Sequence, residues 1–417
     1  MACPKCGTLG RRKRQRHRFV RSLSYQEILF LEIIYGQYVA KCDCSKTFHS
    51  HPPCVDLKAK YDHKVRQAVV DRILQDKLNL SAVQASMQRD FLLNLSSGYV
   101  YAALDWAIRQ FDGNAFRKQV LAEFSGVLCI DEIHLGKRVL LLASDPIADN
   151  PVGCALVSRN DAAHMRRFMQ NLKNRGFMAQ TVVSDRSPLY PGTIDTVWPA
   201  ADHQLCVFHV MAEINKLILG ASRDVRKQLK PKQIKKGRGR PSRRQQALVR
   251  KKKEKLKQAE NLFRNRHDLV RKRSKMSKTQ KQRLDLLTSL SPTLVTLRKF
   301  TDDLHALFSL RRSPSKAWQI WRRMRRTAKY RQIPALAKAL EVLCKPNMNK
   351  LLVYLKQPLH QRTKIRTNNH VERCNRKLRY LEKVRYKWRR SKTIIRHVLL
   401  QFQNWIKSKP SQRQTEN

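Results

Sequence analysis

The chain has 417 residues, with 87 Lys+Arg against 31 Asp+Glu, a formal charge of +56 at pH 7 and 41% hydrophobic residues. That hydrophobic content excludes a wholly disordered chain, no run approaches the roughly 18 apolar residues of a membrane span, and ten irregularly spaced cysteines do not resemble a secreted disulfide scaffold. So large a positive surplus repels itself unless a polyanion shares it, which points to nucleic acid as the partner rather than to a membrane or a small-molecule substrate.

Residues 1–55 are rich in Cys and His. The opening Met-Ala-Cys3-Pro-Lys-Cys6-Gly7 has no apolar core with a small-residue cleavage site, so it reads as no signal peptide but as a knuckle in a cytosolic chain. With Cys42-Asp-Cys44 it offers four thiolates for a structural Zn²⁺, with His49, His51 or Cys54 as substitutes for the second pair. Between the pairs lies Arg11-Arg12-Lys13-Arg14-Gln15-Arg16-His17-Arg18, a basic arm suited to gripping phosphates or to lying solvated as a loop.

Residues 56–115 read as helical. Val65, Val69, Ile73 and Leu74 form one helical face, Ser81 is a candidate N-cap for a second helix ending near Phe91, and Ser96 or Ser97 caps a third. Helix, short turn, helix suits a helix-turn-helix, with Tyr99, Tyr101 and Arg109 as candidate DNA contacts.

From residue 120 to 210 short β-branched runs alternate with helical ones. Gly126-Val-Leu-Cys-Ile-Asp131-Glu132 predicts a buried strand with an acid at its end. Lys137–Ala143 and Val152–Val157 predict two more strands, Asp161–Arg175 an amphipathic helix, and Gln180-Thr-Val-Val-Ser-Asp185 a fourth strand ending in an acid. Three meandering strands, a helix and a parallel strand is the order of a ribonuclease H-like fold. It sets two carboxylates side by side, which is costly unless cations bridge them; two Mg²⁺ ions about 3.5–4 Å apart would do so and support an in-line phosphoryl displacement.

Residues 211–360 read as a basic all-α insertion. Residues 221–283 hold 26 Lys+Arg against 4 acids, and Lys235, Lys236, Arg238 and Arg240 fall in a Gly-rich polycation suited to DNA. The helical segment 361–407 opens on Thr367-Asn-Asn-His-Val-Glu372-Arg-Cys-Asn375. There Glu372 stands alone among cations as a third carboxylate, Asn368 or Asn369 can cap the helix, and Asn375 lies one turn on. Residues 408–417 form a polar tail.

Taken together, these residues resemble the DDE transposases of bacterial insertion sequences, most closely the ISL-three type. The resemblance is carried by the Cys pairs, the helix-turn-helix pattern, Ile-Asp131-Glu, Val-Ser-Asp185-Arg-Ser-Pro-Leu-Tyr, His203-Gln-Leu-Cys206-Val-Phe-His209-Val and Thr-Asn-Asn-His-Val-Glu372-Arg-Cys-Asn-Arg. It spans nearly the whole chain. It implies an α+β multidomain protein: a zinc-ribbon-like knuckle and a helix-turn-helix, then a ribonuclease H-like domain interrupted by the insertion. It implies Asp131, Asp185 and Glu372 as catalytic triad and ligands of Mg²⁺ or Mn²⁺, with Cys206, His209, Asn369 and Asn375 in support. Arg385, Tyr386 and Trp388 stand where the family has an Arg/Gly/Tyr-rich stretch and are further candidates for DNA contact. The implied activity is binding of terminal inverted repeats, metal-dependent strand cleavage and strand transfer into target DNA, by a homo-oligomer in the bacterial cytoplasm. The rival readings are an inactive or domesticated DNA-binding regulator and a nuclease that does not join strands.

Overall fold

The computed structural model describes residues 1–39, 47–50, 52–231, 242–384, 388 and 390–408. At the N-terminus β1 (Arg11–Ser22), β2 (Leu29–Val39) and β3 (Thr47–His49) form an antiparallel sheet in the order β1-β2-β3. The basic run is therefore an edge strand and not a loop. Arg14 and Arg16 both donate to Gln37 Oε1, at 2.7 and 3.0 Å, and the charged edge resists pairing with other strands. Cys3 is buried against Phe48, and Gly7, at φ +73°, closes the Cys3–Cys6 turn by donating to the Cys3 carbonyl at 2.9 Å. Cys42, Cys44 and His51 lie outside the described residues.

Three helices follow: α1 (His63–Leu74), α2 (Leu80–Phe91) and α3 (Ser97–Arg109). Asp62 and Ser96 cap α1 and α3 through their side chains. The cap of α2 is Asn79, not Ser81: Asn79 Oδ1 accepts from the Ala82 N–H at 2.8 Å, while the Ser81 hydroxyl donates to the same oxygen at 3.0 Å. Val65, Val69, Ile73, Met87, Leu95 and Leu104 fill the core between them, with Leu400 from the C-terminal helix. The short α4 (Gly113–Ala122) leads to the main sheet.

That sheet is built from β4 (Val127–Leu135), β5 (Arg138–Asp145), β6 (Asn150–Val157), β7 (Thr181–Ser184) and β8 (Asp202–Leu205), in the order β6-β5-β4-β7-β8. β4, β5 and β6 are antiparallel neighbours, and β7 and β8 run parallel to β4. α5 (Ala162–Asn174) and α6 (Pro191–Val197) supply the crossings. β4 does not end at Asp131. It pairs with β5 as far as Leu135 opposite Arg138 because Ile133 and Leu135 continue the buried alternation, and Gly136, at φ +60°, makes the turn. On its other side β4 pairs with β7 only from Val127 to Cys129, so Asp131 lies just past the parallel ladder.

Side chains alternate across β4. Cys129, Ile133 and Leu135 face one helical layer, and Leu128 and Ile130 face the layer of α5 and α6. The first layer begins with α7 (Val207–Leu229), which leaves β8 and runs unbroken through residue 211. The boundary expected there falls inside a helix whose Val210, Ile214, Ile218 and Val225 belong to the core that the sheet shares. α8 (Arg243–Asn265) buries only Ala259 and Leu262, so its first four turns stand in solvent. Lys235, Lys236, Arg238 and Arg240 lie outside the described residues.

α9 (Lys278–Thr288), α10 (Pro292–Leu307), α11 (Pro314–Arg326), α12 (Ala328–Arg331), α13 (Pro334–Val342), α14 (Lys345–Leu351) and α15 (Leu359–Ile365) continue the layer. Buried Gln204 of β8 pins it to the sheet, donating to the Leu351 carbonyl at 3.3 Å and accepting from the Tyr354 N–H at 2.7 Å. α16 (Asn369–Val384) then packs on β4 and β5, and α17 (Ser391–Lys407) on β6 and α3, where Arg396 pairs with Asp105. No described helix is long and apolar enough to cross a membrane.

Candidate active site

The register of the sheet brings two acids level. Cys129 pairs with Val183 across the parallel ladder, so two steps further on Asp131 of β4 stands beside Asp185 at the end of β7. The Ser187 N–H donates to Asp185 Oδ1 at 2.9 Å and fixes that carboxylate in its turn. Strand alternation decides which of the two adjacent acids at 131–132 faces this point. Asp131 is on the α16 side, where Asn375 Nδ2 donates to its Oδ2 at 2.6 Å. Glu132 is turned to the opposite face, where buried Tyr190 and Asn160 both donate to it.

Glu372 sits in the first turn of α16, one turn before Asn375. Burial, then Glu132, Asp185 and Glu372, push Asp131 up to about 7. Asp185 and Glu372 thus both act on Asp131, although the three carboxylates do not form a close group of ligand atoms. Glu372 Oε1 is buried and accepts no hydrogen bond. A buried acceptor without a donor, and a carboxyl raised by burial and by neighbouring acids, are both relieved by a divalent cation, so the residues fit one.

Cys206 closes β8 and precedes α7, and His209 lies in the first turn of α7. Burial raises the Cys206 thiol, while the backbone N–H groups of Asn368, His209 and Phe208 hydrogen-bond to its sulfur. His209 Nε2 is 3.8 Å from Glu372 Oε1. Ligand atoms of Cys206, His209 and Glu372 lie within 4.8 Å of one another.

Asn368 does not cap α16 with its side chain. Its carbonyl accepts the Glu372 N–H at 3.1 Å, but both amide atoms are buried without a partner. Asn369 is the exposed first residue of the helix. Sequence reasoning missed the clamp that sets the angle of α16: His370 and Arg373 each reach Asp149 Oδ1 at 2.7 Å, and Trp405 donates to the Asp149 carbonyl at 3.0 Å. Hydrogen bonding from His370, with the Arg373 guanidinium beside it, holds the Asp149 carboxyl below the usual range. It also missed Tyr190, which only the alternation at Asp131-Glu132 could have suggested.

The candidate DNA contacts divide. Arg11, Arg12, Arg14, Tyr101 and Arg109 are exposed. Tyr99 instead turns inward, edge-on to Tyr61 at 4.8 Å, and burial pushes its buried phenol up to about 12. Trp388 is also a packing residue, 6% exposed and 5.0 Å from His397, because its indole completes the core beside α17. Arg385 and Tyr386 lie outside the described residues.

A family model described as a transposase, of the ISL-three DDE type, matches residues 128–396, well over half of the chain. No curated protein matches it. Among solved structures the chain is similar to the Drosophila P element transposase strand transfer complex, at 12% identity and a TM-score of 0.43, covering 85% of this chain and 94% of that one.

Proposed function

From the premise that this chain belongs to the ISL-three family of DDE transposases, a family of DNA transposases that uses divalent metal, we propose that Asp131, Asp185 and Glu372 are its catalytic carboxylates. The observation that carries this assignment is the alternation on β4, which aims Asp131 and not Glu132 at Asp185 and α16.

The sheet order is that of a ribonuclease H-like fold, and α7 to α14 form its basic insertion. Mg²⁺ or Mn²⁺ is the ion, and Asp131, Asp185 and Glu372 would hold it. When bound, the ion supplies charge neutralisation for the scissile phosphate and acidity for the attacking water or 3′-hydroxyl. The protein's own part is orientation. Asn375 holds Asp131, the Ser187 N–H holds Asp185, and the Asp149 clamp holds the helix that carries Glu372. The freed 3′-hydroxyl then attacks target DNA, with no covalent protein–DNA intermediate.

The three-helix unit reads as the helix-turn-helix that selects the terminal repeats, with Tyr101 and Arg109 on its surface. The N-terminal sheet reads as the zinc-ribbon-like element, where Cys3 and Cys6 would be joined by Cys42 and Cys44 as Zn²⁺ ligands. Pairing of two transposon ends makes a homo-oligomer the working form. Joining of pre-nicked ends in Mg²⁺ tests the triad: Asp185→Asn and Glu372→Gln abolish it, and survival of joining in either overturns the assignment. Zinc analysis of the full chain tests the knuckle: Cys3→Ser with Cys6→Ser loses one equivalent, and an unchanged zinc content overturns that part.

A further inference from the structure

The position of Glu372 carries an inference beyond its catalytic role. Among the described residues, the group of three ligand side chains whose donor atoms lie within 4.8 Å of one another is Cys206, His209 and Glu372, and not the three carboxylates. One sulfur, one imidazole nitrogen and one carboxylate oxygen are the donor types of a tetrahedral zinc site, at about 2.3 Å for sulfur and about 2.0–2.2 Å for nitrogen and oxygen. The 3.8 Å between His209 Nε2 and Glu372 Oε1 is already close to the separation of two ligands on one such ion. Glu372 Oε1 is buried and lacks a hydrogen-bond donor, a second sign that a positive group belongs there.

The three donors are held by packed structure. The Val207 N–H donates to the Arg366 carbonyl at 3.1 Å, which locks the segment before α16 onto the start of α7. The fourth position is open, as in zinc sites with three protein ligands.

We propose that Cys206, His209 and Glu372 form a second cation site, for a borderline-soft ion of the Zn²⁺ class, that shares Glu372 with the carboxylate site. Thiolate and imidazole favour such an ion over Mg²⁺, which takes oxygen ligands. Binding displaces the thiol proton to solvent. Occupancy holds Glu372 away from Asp131 and Asp185, so the soft ion and the catalytic ion exclude each other. This consequence rests on the proposed catalytic role of Glu372, whereas the binding site does not.

The test is titration of the full-length protein with Co²⁺, whose thiolate charge-transfer absorption reports a sulfur ligand, with Zn²⁺ stoichiometry by native mass spectrometry. The N-terminal cysteines contribute equally to every variant, so the readout is a difference. Wild type takes up one more Co²⁺, with more thiolate absorption, than Cys206→Ser, and one more than His209→Ala. Glu372→Gln weakens that extra equivalent by about tenfold or more, the scale of disturbing a ligand set. Asp185→Asn keeps it. Equal uptake by wild type and His209→Ala overturns the proposal, and this holds even if Cys206→Ser fails to fold, because the partly exposed His209 supports no core. Equal uptake with joining lost in Asp185→Asn sinks the second site alone. A variant-sensitive Co²⁺ signal with joining retained in Glu372→Gln keeps the site and sinks the catalytic role.

Discussion

The three candidate carboxylates and helix α8 are opposite solutions to handling charge. Asp131, Asp185 and Glu372 are half-buried, few, and each tied to particular partners or left with a buried unpaired oxygen. The first four turns of α8 carry their cations in open solvent, anchored only further on by Ala259 and Leu262. In the first region a charge is costly and its position is specified. In the second it is screened and individually replaceable. On the proposed assignment, chemistry belongs to the first region and affinity for a polyanion to the second.

The largest effect is expected from the acids. Asp131→Asn, Asp185→Asn or Glu372→Gln lowers the rate of strand joining by about 10³-fold or more, since the bound ion is worth several kcal/mol at the transition state. End binding, read by gel shift, stays within a few-fold. A variant that loses binding and joining in parallel would break the separation.

Stability gives the next effect, with the opposite sign. Asp131 is raised from 3.8 to about 7, so between those values the folded chain keeps a proton that the unfolded chain releases. Stability therefore falls as pH rises through this window. At pH 8 without divalent ions, Asp131→Asn is more stable than wild type by about 2–4 kcal/mol, and the gain disappears at pH 4. Denaturant unfolding at the two pH values checks it, and equal stability at pH 8 would contradict the burial argument.

Asn375→Ala removes the donor that orients Asp131. Joining falls by about 10–100-fold, the scale of losing the group that orients a ligand, while the thermal midpoint moves little. The smallest single-residue effects fall on α8. Replacing Lys251, Lys253, Lys255 and Lys257 together with Ala makes the salt dependence of DNA binding shallower by up to about 4 units of log–log slope. Joining by the bound protein is unchanged, and each single change removes about one unit or less.

Much of this was legible in the sequence where burial and period act together. The apolar runs at 127–130 and 181–184 announce strands, and Val65, Val69 and Ile73 a helix. The strand through Asp131 could have been read to Leu135, because the alternation Ile133-His134-Leu135 persists. β1 could not: Arg11 to Arg18 has no apolar alternation, and only pairing with β2 makes it a strand. Asn79 outcompeted Ser81 because its carbonyl reaches the Ala82 N–H, a choice between two good capping residues that composition does not make. The Asp149 clamp was invisible, since its partners are more than 200 positions apart and meet only when α16 docks on the sheet. Asp131 and Asp185 were read from their strand ends and Glu372 from its isolation among cations, but what brings them together is the β4–β7 register and the docking of α16 on β4 and β5.

On the proposed assignment, Asp131, Asp185 and Glu372 act as one cation site. This is tested most directly by electron paramagnetic resonance of Mn²⁺ added to the full-length protein on its DNA ends. Mn²⁺ is expected to be bound in wild type and lost in Asp131→Asn and in Asp185→Asn, with circular dichroism unchanged. Mn²⁺ held equally well by Asp185→Asn would contradict it.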